Sequence, residues 1–83
     1  MAVRTKTSAH NAAVASTFRG LRGEKDLSFA ELEKRTHIKE AQLERLFRNQ
    51  ATFTTEDFTT IAIAFRENPS ELLDVILEKV RSE

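Results

Sequence analysis

The sequence predicts an all-α fold of five short helices, and three observations carry that expectation. Apolar residues recur at intervals of three and four along most of the chain, the spacing that gathers them on one helical face. Polar caps stand ahead of three of these stretches with an acid three positions on: Ser28 and Glu31, Thr54 and Asp57, Asn68 and Glu71. No stretch alternates with the two-residue period of a strand.

Taken in order, the first helix runs from Ala9 to about Arg22, with Val14, Phe18 and Leu21 at helical spacing and Gly20 and Gly23 weakening its end. The second starts at the Ser28/Glu31 capping box, inside a Leu27–Leu32 hydrophobic staple, and ends near Arg35 with Thr36 and His37 as a tight turn. In the third, Ile38 and Leu43 repeat the staple spacing. There Leu43, Leu46 and Phe47 form a buried stripe, while Glu40, Ala41, Glu44, Arg45 and Arg48 lie on the opposite face. The fourth opens on Thr54 and Asp57, with Phe53 and Phe58 in staple register, and turns Phe58, Ile61, Ala62 and Phe65 inward. The fifth has Asn68 as its cap and Pro69 at the first helical position, and runs to about Val80. Its inner stripe reads as Leu73, Ile76, Leu77 and Val80, leaving Leu72 and Val75 to the side. Of the six phenylalanines, five fall on these stripes or staples; Phe29, among polar neighbours, is expected at the surface.

Eighty-three residues without cysteine make one small domain whose core needs neither disulfides nor thiolate-bound metal. A reducing, cytoplasmic setting is expected, because no apolar run is long enough to cross a membrane and M-A-V-R-T-K-T-S lacks the apolar block of a signal peptide. Residues 1–8 read as a flexible basic arm whose Arg4 and Lys6 are expected to reach a phosphate or a minor groove, with a disordered terminus, the more common fate of such segments, as the alternative. The zero net charge hides an asymmetry. Residues 1–50 carry ten basic and six acidic side chains, and residues 51–83 carry three and seven, so the halves stand at +4 and −4. A basic half suits a face turned toward nucleic acid; segregation of solvated charge is the alternative.

A short helix, a tight turn and a second helix with one polar face make the shape that fits a major groove. An ordinary helical hairpin with a solvated face is the other reading. Enzymatic chemistry is not indicated: His10 falls near the arm and His37 in the turn, and the chain has no phosphate loop and no metal-ligand spacing. No catalytic residue, metal, cofactor or small-molecule ligand is expected.

Between Val14 and Leu73 the chain resembles the helix-turn-helix domains of the phage repressor and Cro type, a lambda-repressor-like five-helix class. The landmarks are Leu21–Arg22, Leu27–Ser28, Glu31–Leu32, K-R-T-H-I from Lys34 to Ile38, Leu43 and Leu46, and Arg48–Asn49. Thr54 to Glu56, I-A-x-A-F from Ile61 to Phe65 and S-E-L-L from Ser70 to Leu73 complete the set. The resemblance implies that the second and third helices form the motif and that Lys39 to Arg48 enters the major groove of double-stranded DNA. Glu40, Ala41, Glu44 and Arg45 would face base edges, with Gln42 counted among the contacts. Lys39, Arg48, Asn49 and Gln50 would lie near bases or phosphates, and the Ser28-capped helix start would aim its N–H groups at a phosphate. The chain departs from the pattern at Phe29, where a glutamine is usual, at Glu33, usually small, and at His37, usually glycine. A fourth departure is Phe47, which stands where relatives often carry an acid that pairs with the first helix's arginine; Arg22 is therefore expected to be free for phosphate.

The function this implies is a sequence-specific, repressor-like transcription regulator of phage type that occupies an operator. The alternative is a helix-turn-helix interaction module that binds protein, as an antitoxin-like or adaptor subunit. Neutral net charge, Phe29 and the acids of the third helix favour the alternative; the charge asymmetry and the basic arm favour DNA. A homodimer through the fifth helix (residues 69–80) is expected, with Leu72, Val75 and Ile76 at the interface.

Overall fold

A computed structural model describes residues 8–82 of the chain. Among them lie five helices and no strand: α1 (Ala9–Lys25), α2 (Phe29–Thr36), α3 (Glu40–Phe47), α4 (Thr55–Ala64) and α5 (Pro69–Arg81). α1 packs on α3 and α5, α2 on α3 and α4, and α4 on α5.

The helix starts follow the caps read from the sequence. Thr54 and Asp57 form the full reciprocal box, at 3.0 and 3.3 Å. Asn68 Oδ1 accepts from the Ser70 and Glu71 N–H groups, with Pro69 at the first position, where its missing N–H is not needed. At Ser28 only half of the box forms: its hydroxyl accepts from the Glu31 N–H at 3.1 Å, while the Glu31 carboxylate pairs with Arg35 one turn on, at 3.3 Å. Ser8 belongs to α1 rather than to an arm, because its hydroxyl caps the Asn11 N–H at 3.1 Å.

Among the helix ends, that of α1 departs from expectation, whereas α2, α3 and α5 stop within a residue of the expected Arg35, Arg48 and Val80. α1 continues through both glycines to Lys25, and its last carbonyls are satisfied by the N–H groups of Asp26 and Leu27, with Asp26 left-handed at φ 54°. The same device ends α2 at His37 (φ 65°), α3 at Asn49 (φ 59°) and α4 at Arg66 (φ 62°). All four C-terminal turns thus place a residue with a side chain where glycine is least strained.

Phe18, fully buried, sits at the centre of the core, with ring centroids 5.5 to 5.9 Å from those of Phe47, Phe53, Phe58 and Phe65. Such ring pairs add about 0.5 to 1.5 kcal/mol each beyond their buried area. Leu32, Leu43, Leu46, Ile61 and Ile76 close the core around them.

α5 is rotated from the expected stripe. Leu72 and Ile76 point into the core, Leu77 and Val80 are half-buried, and Leu73 and Val75 are 41% and 51% exposed. Pro69, Leu72, Ile76 and Val80 also have helical spacing, and this alternative is the one that faces α1 and α4. Of the three residues assigned to a dimer surface, Leu72 and Ile76 are therefore taken up by the chain's own core, and Val75 alone faces outward.

Candidate nucleic-acid interface

The turn between α2 and α3 is fastened by short-range bonds. The buried Thr36 hydroxyl donates to the Leu32 carbonyl at 2.7 Å and accepts from the Ile38 N–H at 3.1 Å, locking the chain as it leaves α2. α3 has no side-chain cap of its own at Lys39. Instead the Glu33 carboxylate crosses the turn and accepts from the Glu40 N–H at 3.0 Å. Glu33 thus caps the next helix, in the polarity that a helix N-terminus favours.

With Leu43, Leu46 and Phe47 buried, α3 turns its other face outward. Lys39, Glu40, Ala41, Arg45, Arg48 and Gln50 are exposed, and Gln42, Glu44 and Asn49 half-buried. The placement matches the face expected from the sequence. The guanidinium groups on it are already engaged along the helix: Arg45 donates to Gln42 Oε1 at 3.2 Å, and Arg48 lies 3.7 Å from Glu44 Oε1. Exposed contacts of this kind are worth about 0 to 1 kcal/mol and exchange readily for a stronger acceptor.

Ser28 is exposed, and above its cap the first N–H groups of α2 have no intrahelical partner. Arg22, expected free, is occupied. It donates to the Leu27 carbonyl at 3.0 Å and lies 4.3 Å from the Phe29 ring centroid. Phe29 is correspondingly not a free surface residue: half-buried, it meets Phe47 edge-on at 5.3 Å. Arg4 and Lys6 lie outside the described residues.

Three residues that hold this face were not singled out from the sequence. Arg19 on α1 donates to the Phe47 carbonyl at the end of α3. Arg35 on α2 donates to the Ala64 carbonyl at the end of α4, at 3.1 Å. Asn11, 5% exposed, bonds three residues of the segment that follows α3. A signal for Asn11 was present: it stands on the same helical stripe as Val14, Ala15 and Phe18, where a polar residue needs partners. Arginines that cap distant carbonyls leave no local pattern.

Among the described residues no group of three or more His, Asp or Glu side chains is placed to hold a metal ion, and no helix is long and apolar enough to cross a membrane. Compared with known families, residues 17–78 match the Cro/C1-type helix-turn-helix DNA-binding domain. Comparison with curated proteins and with solved structures gives no match. The match spans most of the chain and contains α2, the turn and α3 entire, so the chain belongs to the Cro/C1-type helix-turn-helix DNA-binding domain family.

Proposed function

We propose that this helix-turn-helix domain is a sequence-specific transcription regulator that sets α3 into the major groove of an operator and represses by occupying it. The observation that carries the reading is the outward face of α3, on which Glu40, Ala41, Gln42, Glu44 and Arg45 stand together over a stripe that is fully buried. Arginine can take a guanine edge, glutamine an adenine edge, and glutamate a cytosine amine. Arg48, Asn49 and Gln50 lie where the backbone would pass, and the open N–H groups at the start of α2 suit a phosphate. Arg4 and Lys6 belong to the same proposal as phosphate or minor-groove contacts, and the working site is the cytoplasm, with the DNA. Dimerisation through α5 stays in the reading with a revised surface, Val75 and Leu73, the two exposed aliphatic residues of that helix.

The acids Glu40 and Glu44 favour a second reading, a protein-binding module, since both repel phosphates. Gel shifts at several salt concentrations, followed by selection from a random DNA pool, separate the two. A DNA regulator gives salt-dependent binding and an enriched sequence. Absence of any shift at low salt leaves the protein-binding module.

A further inference from the structure

The geometry points to Asn11 as a positioning residue for DNA contact, acting through residues 49–53, where the chain leaves α3; the inference rests on the DNA-binding reading above. Its carboxamide is buried at 5% exposure and has three partners in that segment. Nδ2 donates to Asn49 Oδ1 at 2.8 Å and to the Ala51 carbonyl at 3.0 Å, and Oδ1 accepts from the Phe53 N–H at 2.7 Å. The gripped residues alternate with exposed ones: Asn49, Ala51 and Phe53 are held, whereas Gln50 and Thr52 stand in solvent. A single side chain on α1 thus holds the inner edge of the segment and sets an amide and a hydroxyl outward, one and three residues beyond Asn49 and its left-handed turn.

Amides and hydroxyls are the neutral groups that contact DNA phosphate and sugar, and such contacts fix how a protein sits on the duplex. Because the segment continues directly from α3, a helix in the groove brings Gln50 and Thr52 to the nearby backbone. α1 reinforces the same end of α3 through Arg19, which donates to the Phe47 carbonyl. Asn11 touches no DNA in this arrangement; it keeps Gln50 and Thr52 in register with α3. Both groups are neutral, so the grip governs affinity without altering the number of phosphates neutralised by cations.

The test measures Asn11→Ala in the full chain, in a background carrying Gly20→Ala and Gly23→Ala to restore the stability that the lost hydrogen bonds remove. Binding is measured to the sequence selected from a random pool and to sonicated mixed-sequence double-stranded DNA. With its melting temperature back at the wild-type value, the variant is expected to bind both DNAs about tenfold more weakly, the worth of one hydrogen bond to a charged group, with the salt slope unchanged. Gln50→Ala with Thr52→Ala is expected to lower wild-type affinity by about as much, and to lower it no further once Asn11 is gone. Full affinity in the stabilised Asn11→Ala protein, or additive losses in the combined variant, overturns the positioning role while the DNA reading stands. A wild-type chain that binds neither DNA overturns the DNA reading, and the positioning role with it.

Discussion

Gly23→Ala distinguishes two structures for the end of α1 by the sign of its effect. The sequence alone places the helix end near Arg22, which would make Gly23 the left-handed residue just past the helix. Alanine there would lower stability by about 1 kcal/mol, the strain of a side chain in that conformation. In the structure Gly23 lies inside α1, neither glycine has positive φ, and a Cβ at Gly20 or Gly23 meets nothing within 4 Å. Both positions are exposed, so alanine adds helix propensity without a clash, worth roughly 0.8 to 1.0 kcal/mol at each. The double variant is therefore expected to gain about 2 kcal/mol, a large share of the roughly 5 to 15 kcal/mol that holds a domain of this kind folded. For a chain of this size that is a rise in Tm of about 8 to 15 °C. Thermal unfolding followed by circular dichroism, with urea titration as a second measure, reads it directly. A Gly23→Ala protein that melts at or below the wild-type temperature would refute the continuous helix and return the end of α1 to Arg22.

On the outward face of α3, Arg45→Ala is expected to cost roughly 1 to 3 kcal/mol on the selected sequence and to relax preference at one base pair; equal weakening on every sequence would make Arg45 a phosphate contact instead. Glu44→Gln removes a charge that phosphates repel and releases Arg48, so affinity for mixed-sequence DNA is expected to rise severalfold in a filter-binding assay, and unchanged affinity removes Glu44 from the interface. For assembly, light scattering across a concentration series is expected to show the 9.5 kDa chain pairing and Val75→Glu remaining single; a wild type that is monomeric both free and on DNA sinks the α5 dimer.

What could be read from the sequence was what is decided locally. Ser28, Thr54 and Asn68 mark helix starts because a cap bonds N–H groups two or three residues away, within reach of inspection. The α3 face was legible for the same reason, since Leu43, Leu46 and Phe47 fix the helix's rotation. α5 was not, because two stripes share Ile76 and Val80, and packing on α1 and α4 decides for Leu72 over Leu73. The end of α1 was obscured by chemistry that favours glycine in general: Asp26 carries the left-handed turn, as His37, Asn49 and Arg66 do after α2, α3 and α4, while the glycines stand inside α1. The grips of Arg19, Arg35 and Asn11 span 28 to 42 residues, and no local spacing announces them.

The departures at Phe29 and Phe47, read one at a time, suggested a missing contact and an unpaired arginine. In space they replace one arrangement by another. Phe47 fills the core beside Phe18. Phe29 sets its ring edge-on against it, and the outer face of that ring receives the Arg22 guanidinium, which a weakly hydrated planar cation does well. Arg22 also keeps a polar duty, donating to the Leu27 carbonyl just ahead of the Ser28 cap, so it fastens the start of α2 to α1. Arg22 is thus a brace for the helix-turn-helix. On the proposed reading, DNA contact falls to the outward face of α3, to the start of α2, to the segment that Asn11 holds, and to Arg4 and Lys6.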